Sequence, residues 1–268
     1  MVRALELGLN GKVAWVLGGS SGLGRASALS LAREGAQVAI SSRDADALSE
    51  AAAAIESETG GRCIAVPLDV TDSEAIAAAH EKVSSELGPV DILVANAGGP
   101  PAGSFEDTDD ETMQGAFNLT AASAWRLAKS VVPAMSERGS GVIVFLTSIS
   151  TKEIVEGLLL SNMMRAAVVG MAKTMSKEFG PKGVRVLCVA PGRVATKRLE
   201  QLDAGRAART GETVEEVGRS WAEQIPLGRY GRPEEFGDVV AFAASERASY
   251  LTGTTVMVDG GLTNSTHA

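Results

Sequence analysis

Cysteine is scarce in this chain: 268 residues contain only Cys63 and Cys188. Both fall in apolar, strand-like runs, 63–66 and 184–190, which argues against a disulfide framework and for reduced thiols in a cytoplasmic protein. Basic charge is short as well. Lys and Arg total 25 against 33 Asp and Glu, for a formal net charge of −8, whereas a nucleic-acid-binding surface needs excess cations to meet phosphates. No apolar stretch approaches the roughly 18 residues that span a bilayer, so no membrane partner is expected. The apolar core of a secretory signal is also missing near the N-terminus. No Pro/Ser-rich linker, block of like charge or solenoid-length repeat divides the chain. With 45% hydrophobic and 22% charged residues, a large single core over 1–268 is expected rather than disorder.

What is present begins with a glycine turn, Leu17-Gly18-Gly19-Ser20-Ser21-Gly22-Leu23-Gly24. It follows an apolar run, 13–17, and opens into 25–33, where Ala28, Leu29, Leu31 and Ala32 make a helical apolar stripe. Glycines let a strand-to-helix connection bend sharply and approach a ligand, while free N–H groups at the helix start face negative charge. Gly18, Gly22 and Gly24 read G-x-x-x-G-x-G, not the common G-x-G-x-x-G fingerprint. A tight connection that binds nothing is the alternative for the turn alone.

Strands and helices then alternate. A second strand is expected at 37–41, followed by a helix capped by Asp44 and stopped at Gly60 and Gly61. A third strand, 63–68, ends at Asp69. Thr71-Asp72-Ser73-Glu74 reads as a capping box before the next helix. Further strands are expected at 90–95, 142–146, 184–190 and 254–258, with helices at 160–179 and from Pro233 to 244. The cluster Asp107, Asp109, Asp110 and Glu111 suits the first turn of a helix better than a metal site, since carboxylates favour the positive end of the dipole. That helix runs toward Pro133. Residues 193–225 are polar and irregular in pattern. Short Val/Ile/Leu runs signal strands buried on both faces, hence an α/β fold with a doubly wound, mostly parallel, Rossmann-type sheet.

From Gly11 to Gly261 the chain resembles the short-chain dehydrogenase/reductase family. The glycine turn matches T-G-x-x-x-G-x-G, with Leu17 where threonine is usual. Asn96-Ala97-Gly98 matches N-A-G, Pro191-Gly192 with Thr196 matches P-G-x-x-x-T, and Gly228-Arg229, Pro233-Glu234-Glu235, 248–253 and 258–261 match the C-terminal pattern. The resemblance implies a nicotinamide cofactor held by Gly18, Ser20, Ser21, Gly22, Leu23 and Gly24 at the pyrophosphate. It places Asp69 and Val70 by the adenine, Asn96, Ala97 and Gly98 along the ribose, and Pro191, Gly192, Val194 and Thr196 around the nicotinamide. At the end of the second strand stand Ser42 and Arg43. A guanidinium suits a 2′-phosphate, which favours NADP(H), whereas Asp44 offered to a 2′-hydroxyl would favour NAD. A homotetramer is implied as well.

The family's chemistry rests on Asn, Ser, Tyr and Lys. Asn118 and Ser148 fit the first two. The tyrosine position holds Ser161 and the lysine position Arg165, so Y-x-x-x-K reads S-x-x-x-R. Serine is a much weaker acid than tyrosine, and a guanidinium that stays charged cannot shuttle a proton, though Arg165 can still bond the nicotinamide ribose. Tyr230, Tyr250, His80 and His267 are not placed by the sequence to substitute, His80 lying in a surface-helix pattern. Lys152, Glu153 and Glu156 are the nearer candidates. Two activities are therefore expected: an atypical oxidoreductase acting on a small carbonyl or alcohol, similar to a 3-oxoacyl carrier-protein reductase, or a weakly catalytic NADP(H)-binding sensor or inactive subunit. The resemblance implies that the segment from about 197 to 224 covers the substrate; its Arg198, Arg206, Arg209 and Arg219 read as a solvated helical face, the alternative being a basic lining for an anionic or phosphopantetheine-bearing substrate.

Overall fold

The computed structural model describes residues 6–265. Among the described residues, seven strands form one parallel sheet: β1 (Val13–Leu17), β2 (Gln37–Ser41), β3 (Cys63–Ala65), β4 (Ile92–Ala95), β5 (Gly141–Leu146), β6 (Val184–Pro191) and β7 (Thr255–Val258). Their spatial order is β3-β2-β1-β4-β5-β6-β7. Each connection is a crossover through a helix, as parallel strands require. The order reverses between β1 and β4. At that switch point the connections leave toward opposite faces, and a crevice opens beyond the C-terminal strand ends.

Side-chain alternation divides the core into two layers. Trp15, Leu17, Leu93, Phe145, Val186 and Cys188 point to one face. There they meet α3 (Ser73–Leu87), α5 (Ser123–Arg138) and α6 (Leu159–Phe179). Ala14, Val16, Val38, Ile40, Val94, Val144 and Leu187 point to the other. They pack on α1 (Gly22–Arg33), α2 (Ala45–Thr59) and α9 (Pro233–Ala244). Cys63 and Cys188 are buried free thiols, and burial pushes both up to about 12, so they pack as small apolar groups.

Several boundaries differ from the sequence expectation. β3 stops at Ala65, although Val66 and Leu68 still donate to the Ile40 and Ser42 carbonyls, so the chain tracks β2 while turning toward the crevice. The cap of α3 is Asp72, not Thr71: its carboxylate accepts from the Glu74 and Ala75 amides at 2.8 and 3.1 Å, while the Thr71 hydroxyl donates to Asp69. A carboxylate is the stronger acceptor at a helix N-terminus. Asp109, Asp110 and Glu111 do charge a first turn, that of α4 (Asp110–Ala116), with Asp109 as its cap. A π-helical turn, Phe117–Ala122, joins α4 to α5, which continues through the exposed Pro133 to Arg138. On that outer face water can satisfy the carbonyl that proline leaves unpaired.

The polar stretch 193–225 contains two helices, α7 (Lys197–Thr210) and α8 (Val214–Gln224). They bury only narrow stripes such as Leu199, Ala207 and Val217, which is why the apolar pattern is faint. Thr196 caps α7, and Thr213 with Glu216 forms a capping box on α8. An aromatic and ionic knot pins this hood to the sheet edge. The Arg193 guanidinium pairs with Asp203 and lies over the Trp221 ring at 4.3 Å, while the Tyr230 hydroxyl donates to Asp203 at 2.9 Å.

Candidate active site

The crevice at the switch point is a cleft of about 520 Å³. Its walls come from the segments that follow β1, β2, β3, β4, β5 and β6, roofed by the first turns of α7.

The glycine turn forms the floor. Gly18 has φ +65°, and a Cβ there would sit 2.5 Å from the Asn96 side-chain nitrogen. Gly24 is helical, but its Cβ would lie 2.2 Å from the Gly18 carbonyl oxygen, so only glycine lets α1 start against the turn. At the cap of α1 the Ser21 side chain bonds none of the first amides, and the first turn carries no carboxylate. These N–H groups need an acceptor, and the adjoining cleft is lined by Ser20, Ser21, Gly22 and Leu23. Free helix-start donors beside a backbone that tolerates close approach suit a pyrophosphate. The residues present fit a dinucleotide.

Beyond the turn, Ser42 and Arg43 line the cleft opposite Asp69 and Val70. Asp44 does not line it; its carboxylate caps α2 by accepting from the Ala47 amide at 3.0 Å. Two hydrogen bonds from Thr71 hold the Asp69 carboxyl below its usual range, with Arg43 adding a smaller effect. Asn96, Ala97 and Gly98 border the same space. Pro191, Gly192, Val194 and Thr196 close it from the β6 side, where a Cβ on Gly192 would meet the Asp259 side chain at 2.6 Å.

Ser148, Ser161 and Arg165 meet in this cleft. Ser148 follows β5 and caps a short 3₁₀ turn, accepting from the Ser150 amide at 3.2 Å. Ser161 stands in the first turn of α6, 3.4 Å from the hydroxyl of Ser150. Ser150 was not singled out in the sequence. A buried serine two residues past a strand has no distinguishing pattern, and only the fold brings it to α6.

Arg165 is buried, 8% exposed, one turn further along α6. Its guanidinium donates to the Leu146 carbonyl at 2.6 Å and the Ala97 carbonyl at 3.4 Å, while Nε has no partner. Burial, then the nearby Arg198 charge, pushes its pKa down to about 10. It remains a cation at neutral pH. Beside it a cavity of about 10 Å³ is lined by Asn96, Thr120, Ser123 and Arg165, and the buried Thr120 hydroxyl also lacks a partner. That is room for about one water molecule.

Other candidates separate from this group. Asn118 lies on the π-helical turn, but its neighbour Leu119, rather than Asn118, lines the cleft. Lys152, Glu153 and Glu156 do not line it either; the Glu153 carboxylate accepts from the Asn264 amide. Tyr230 is committed to Asp203, and Tyr250 is fully exposed. His80 is not a simple surface residue: it stacks on Trp15 with ring centroids 5.9 Å apart, and desolvation lowers its pKa. His267 lies outside the described residues.

A parallel sheet with this strand order, a glycine turn at the switch point and N-A-G and P-G segments facing it define a dinucleotide-binding architecture. The chain belongs to the short-chain dehydrogenase/reductase family: residues 18–263 match the family described as Enoyl-(Acyl carrier protein) reductase. It is 35% identical over 256 residues to the oxidoreductase UcpA of Escherichia coli, covering 95% of each chain. It is 34% identical to the 3-oxoacyl-[acyl-carrier-protein] reductase FabG of Thermotoga maritima, covering 95% of this chain and 98% of that one. The solved L-sorbose reductase of Gluconobacter frateurii, complexed with NADPH and L-sorbose, superposes with a TM-score of 0.92 at 34% identity. That match covers 97% of this chain and all of that one.

Proposed function

We propose that the whole chain, 1–268, is one NADP(H)-dependent oxidoreductase unit acting on a small carbonyl/alcohol pair without the usual tyrosine acid. The observation that carries this reading is the junction, in one cleft, of the glycine-turn cradle with Ser148, Ser161 and Arg165. When bound, the nicotinamide supplies or accepts the hydride. Ser20, Ser21, Gly22 and Leu23 offer N–H groups to the pyrophosphate, and Gly24 keeps the helix start close. Ser42 and Arg43 meet the 2′-phosphate, Asp69 and Val70 the adenine, and Asn96, Ala97 and Gly98 the ribose. Pro191, Gly192, Val194 and Thr196 enclose the nicotinamide end.

Ser148 donates a hydrogen bond to the substrate oxygen, with Ser161, bonded to Ser150, as a second hydroxyl. Arg165 holds the ribose and places a fixed positive charge near the developing alkoxide, which lowers the barrier by electrostatics rather than proton transfer. The proton then comes from water. The small cavity lined by Arg165 and Thr120, whose Nε and hydroxyl lack partners, has room for one such water beside the π-helical turn that carries Asn118.

NADPH consumption with a broad carbonyl panel tests the reading. Ser148→Ala should lower turnover by about 10²-fold or more, as loss of an oxyanion donor does elsewhere. Turnover that survives this change at the native rate would remove Ser148 from the mechanism. Cofactor choice has its own test. Arg43→Ala should lower the preference for NADPH over NADH by at least about tenfold in Kd, because a charge-assisted guanidinium–phosphate pair is lost. An unchanged ratio would place the discrimination elsewhere.

A second reading rests on Ser161 and Arg165 standing where a proton-donating pair is usual. The chain would then bind NADP(H) and react little, as a sensor or as an inactive subunit of a mixed oligomer. Tight NADPH binding with no turnover across the panel supports it. Buried free cysteines agree with a cytoplasmic location. The exposed apolar side chains Phe117 on the π-helical turn and Trp125 on α5, with Tyr250 toward the C-terminus, agree with a homotetramer.

A further inference from the structure

The charge of the cleft runs against the charge of the protein. The chain carries a net −8, yet the cleft lining contains Arg43, Arg165, Lys197 and Arg198 against one carboxylate, Asp69. Asp69 borders Arg43 and already accepts twice from Thr71. The cations on the Ser148 side face no carboxylate in that lining.

Two of these cations are placed with care. Arg165 is buried, its two contacts are neutral carbonyls, and its Nε has no partner. Arg198, in the first turn of α7, donates to the Pro100 carbonyl at 2.8 Å, which ties the hood to the loop after Asn96–Gly98. The guanidinium lies close against Gly99: a Cβ there would come within 3.1 Å of Nη2 and 3.2 Å of Nε. Neither arginine forms an ion pair among the described residues. Burial lowers the pKa of each, and Arg198 lowers that of Arg165 further by like-charge repulsion. Partly dehydrated like charges beside one another are costly unless an anion sits between or against them. Around this spot Leu158, Leu199 and Leu202 supply apolar wall, and Ser148 and Ser161 supply hydroxyls.

We infer that the substrate carries an anionic group, a carboxylate or a phosphate ester, bound by Arg198 at the mouth of the cleft with the Arg165 charge behind it. The inference deepens the oxidoreductase reading and rests on it. The bound molecule would present its carbonyl to Ser148, its short carbon body to Leu158, Leu199 and Leu202, and its anionic end to Arg198. Ser161 and Arg165 line the same cleft, so a small hydroxyl and a buried cation border the space the anionic substrate would enter.

The test compares matched pairs in the intact protein: short keto acids with their methyl esters, and dihydroxyacetone phosphate with dihydroxyacetone. The readout is kcat/KM from NADPH oxidation. The anionic member should win by at least about tenfold, as expected for a charge-assisted guanidinium pair, and the better of the two arms tells carboxylate from phosphate. Arg198→Met should bring that ratio to near one, with Arg198→Lys retaining part of it. A merely structural role for Arg198 would lower both members alike and leave the ratio standing. Equal rates for the native pairs, or a ratio unmoved in Arg198→Met, overturns the proposal. So does a loss confined to NADPH affinity, which would assign Arg198 to the cofactor.

If the native protein reduces nothing, the oxidoreductase reading fails by itself. The anion site is then decided by titrating the NADPH-loaded protein with each acid and ester and following bound-cofactor fluorescence. Tighter acid binding that Arg198→Met removes supports the site; equal or absent binding overturns it.

Discussion

Changing Ser161 to tyrosine and Arg165 to lysine in the same chain should raise kcat for reduction of a simple ketone by about 10²–10⁴-fold, the usual contribution of a positioned general acid. The reason is the acidity of the groups. A phenol with an ordinary pKa of about 10 is brought within reach of neutral pH by a nearby cation, while a serine hydroxyl is not. Ser161 lines the cleft from the first turn of α6, so a ring built there enters the open space shared with Ser148. Lysine at 165 would supply the cation together with exchangeable protons, which the guanidinium does not release. Ser161→Tyr alone should recover part of the gain, because Arg165 still lowers the phenol pKa. Arg165→Lys alone should recover little. Stopped-flow or steady-state NADPH oxidation reads the result. A double variant that folds and binds NADPH as tightly as its parent, yet is no faster, would falsify the view that the parent lacks an acid.

The next largest effect is expected at Gly24. Gly24→Val should weaken NADPH binding by about 10²-fold or more and destabilise the fold by about 3 kcal/mol, the upper range for overpacking a close contact. The cause is steric, since Gly24 has an ordinary helical backbone. A Cβ would fall 2.2 Å from the Gly18 oxygen, 2.6 Å from its carbon and 2.9 Å from the Leu17 oxygen. All three are backbone atoms that cannot rotate away. Relief requires α1 to lift from the turn, which carries the free amides away from the pyrophosphate. Gly24→Ala meets the same contact at its first atom and should lose most of the same affinity. Gly218, within α8 and open to a Cβ, is the control: Gly218→Ala should gain about 0.5–1 kcal/mol from helix propensity. Urea unfolding and NADPH fluorescence measure the two quantities. Full affinity in Gly24→Val would show that the close approach is dispensable.

The fold was legible because its strands are short apolar runs, β1 and β6 most clearly, punctuated by glycine turns and capped helices. The parallel doubly wound sheet followed from their alternation. The two helices over 193–225 were not, because a hood outside the sheet layers needs only a few buried anchors and its polar surface hides the period. At the site, the glycine turn, Asn96–Gly98 and Pro191–Thr196 were readable as short motifs in order, and each contributes to the cleft lining. Their partners were not. Ser150 reaches Ser161 across the turn after β5, and Tyr230 turns to Asp203, both through contacts between separate elements that no spacing pattern marks.

Residue identity alone settled which groups are available: position 161 holds a serine and position 165 an arginine, and no spacing argument alters that chemistry. Chain order also determined where the cleft must open, because a parallel sheet reverses its winding at one place. Folding settled what those groups experience. Burial and a second guanidinium push the Arg165 pKa down, while two backbone carbonyls hold the side chain in place. Asn118 fell outside the cleft lining. Such outcomes depend on desolvation and on distances between segments far apart in sequence, quantities that a linear pattern does not contain.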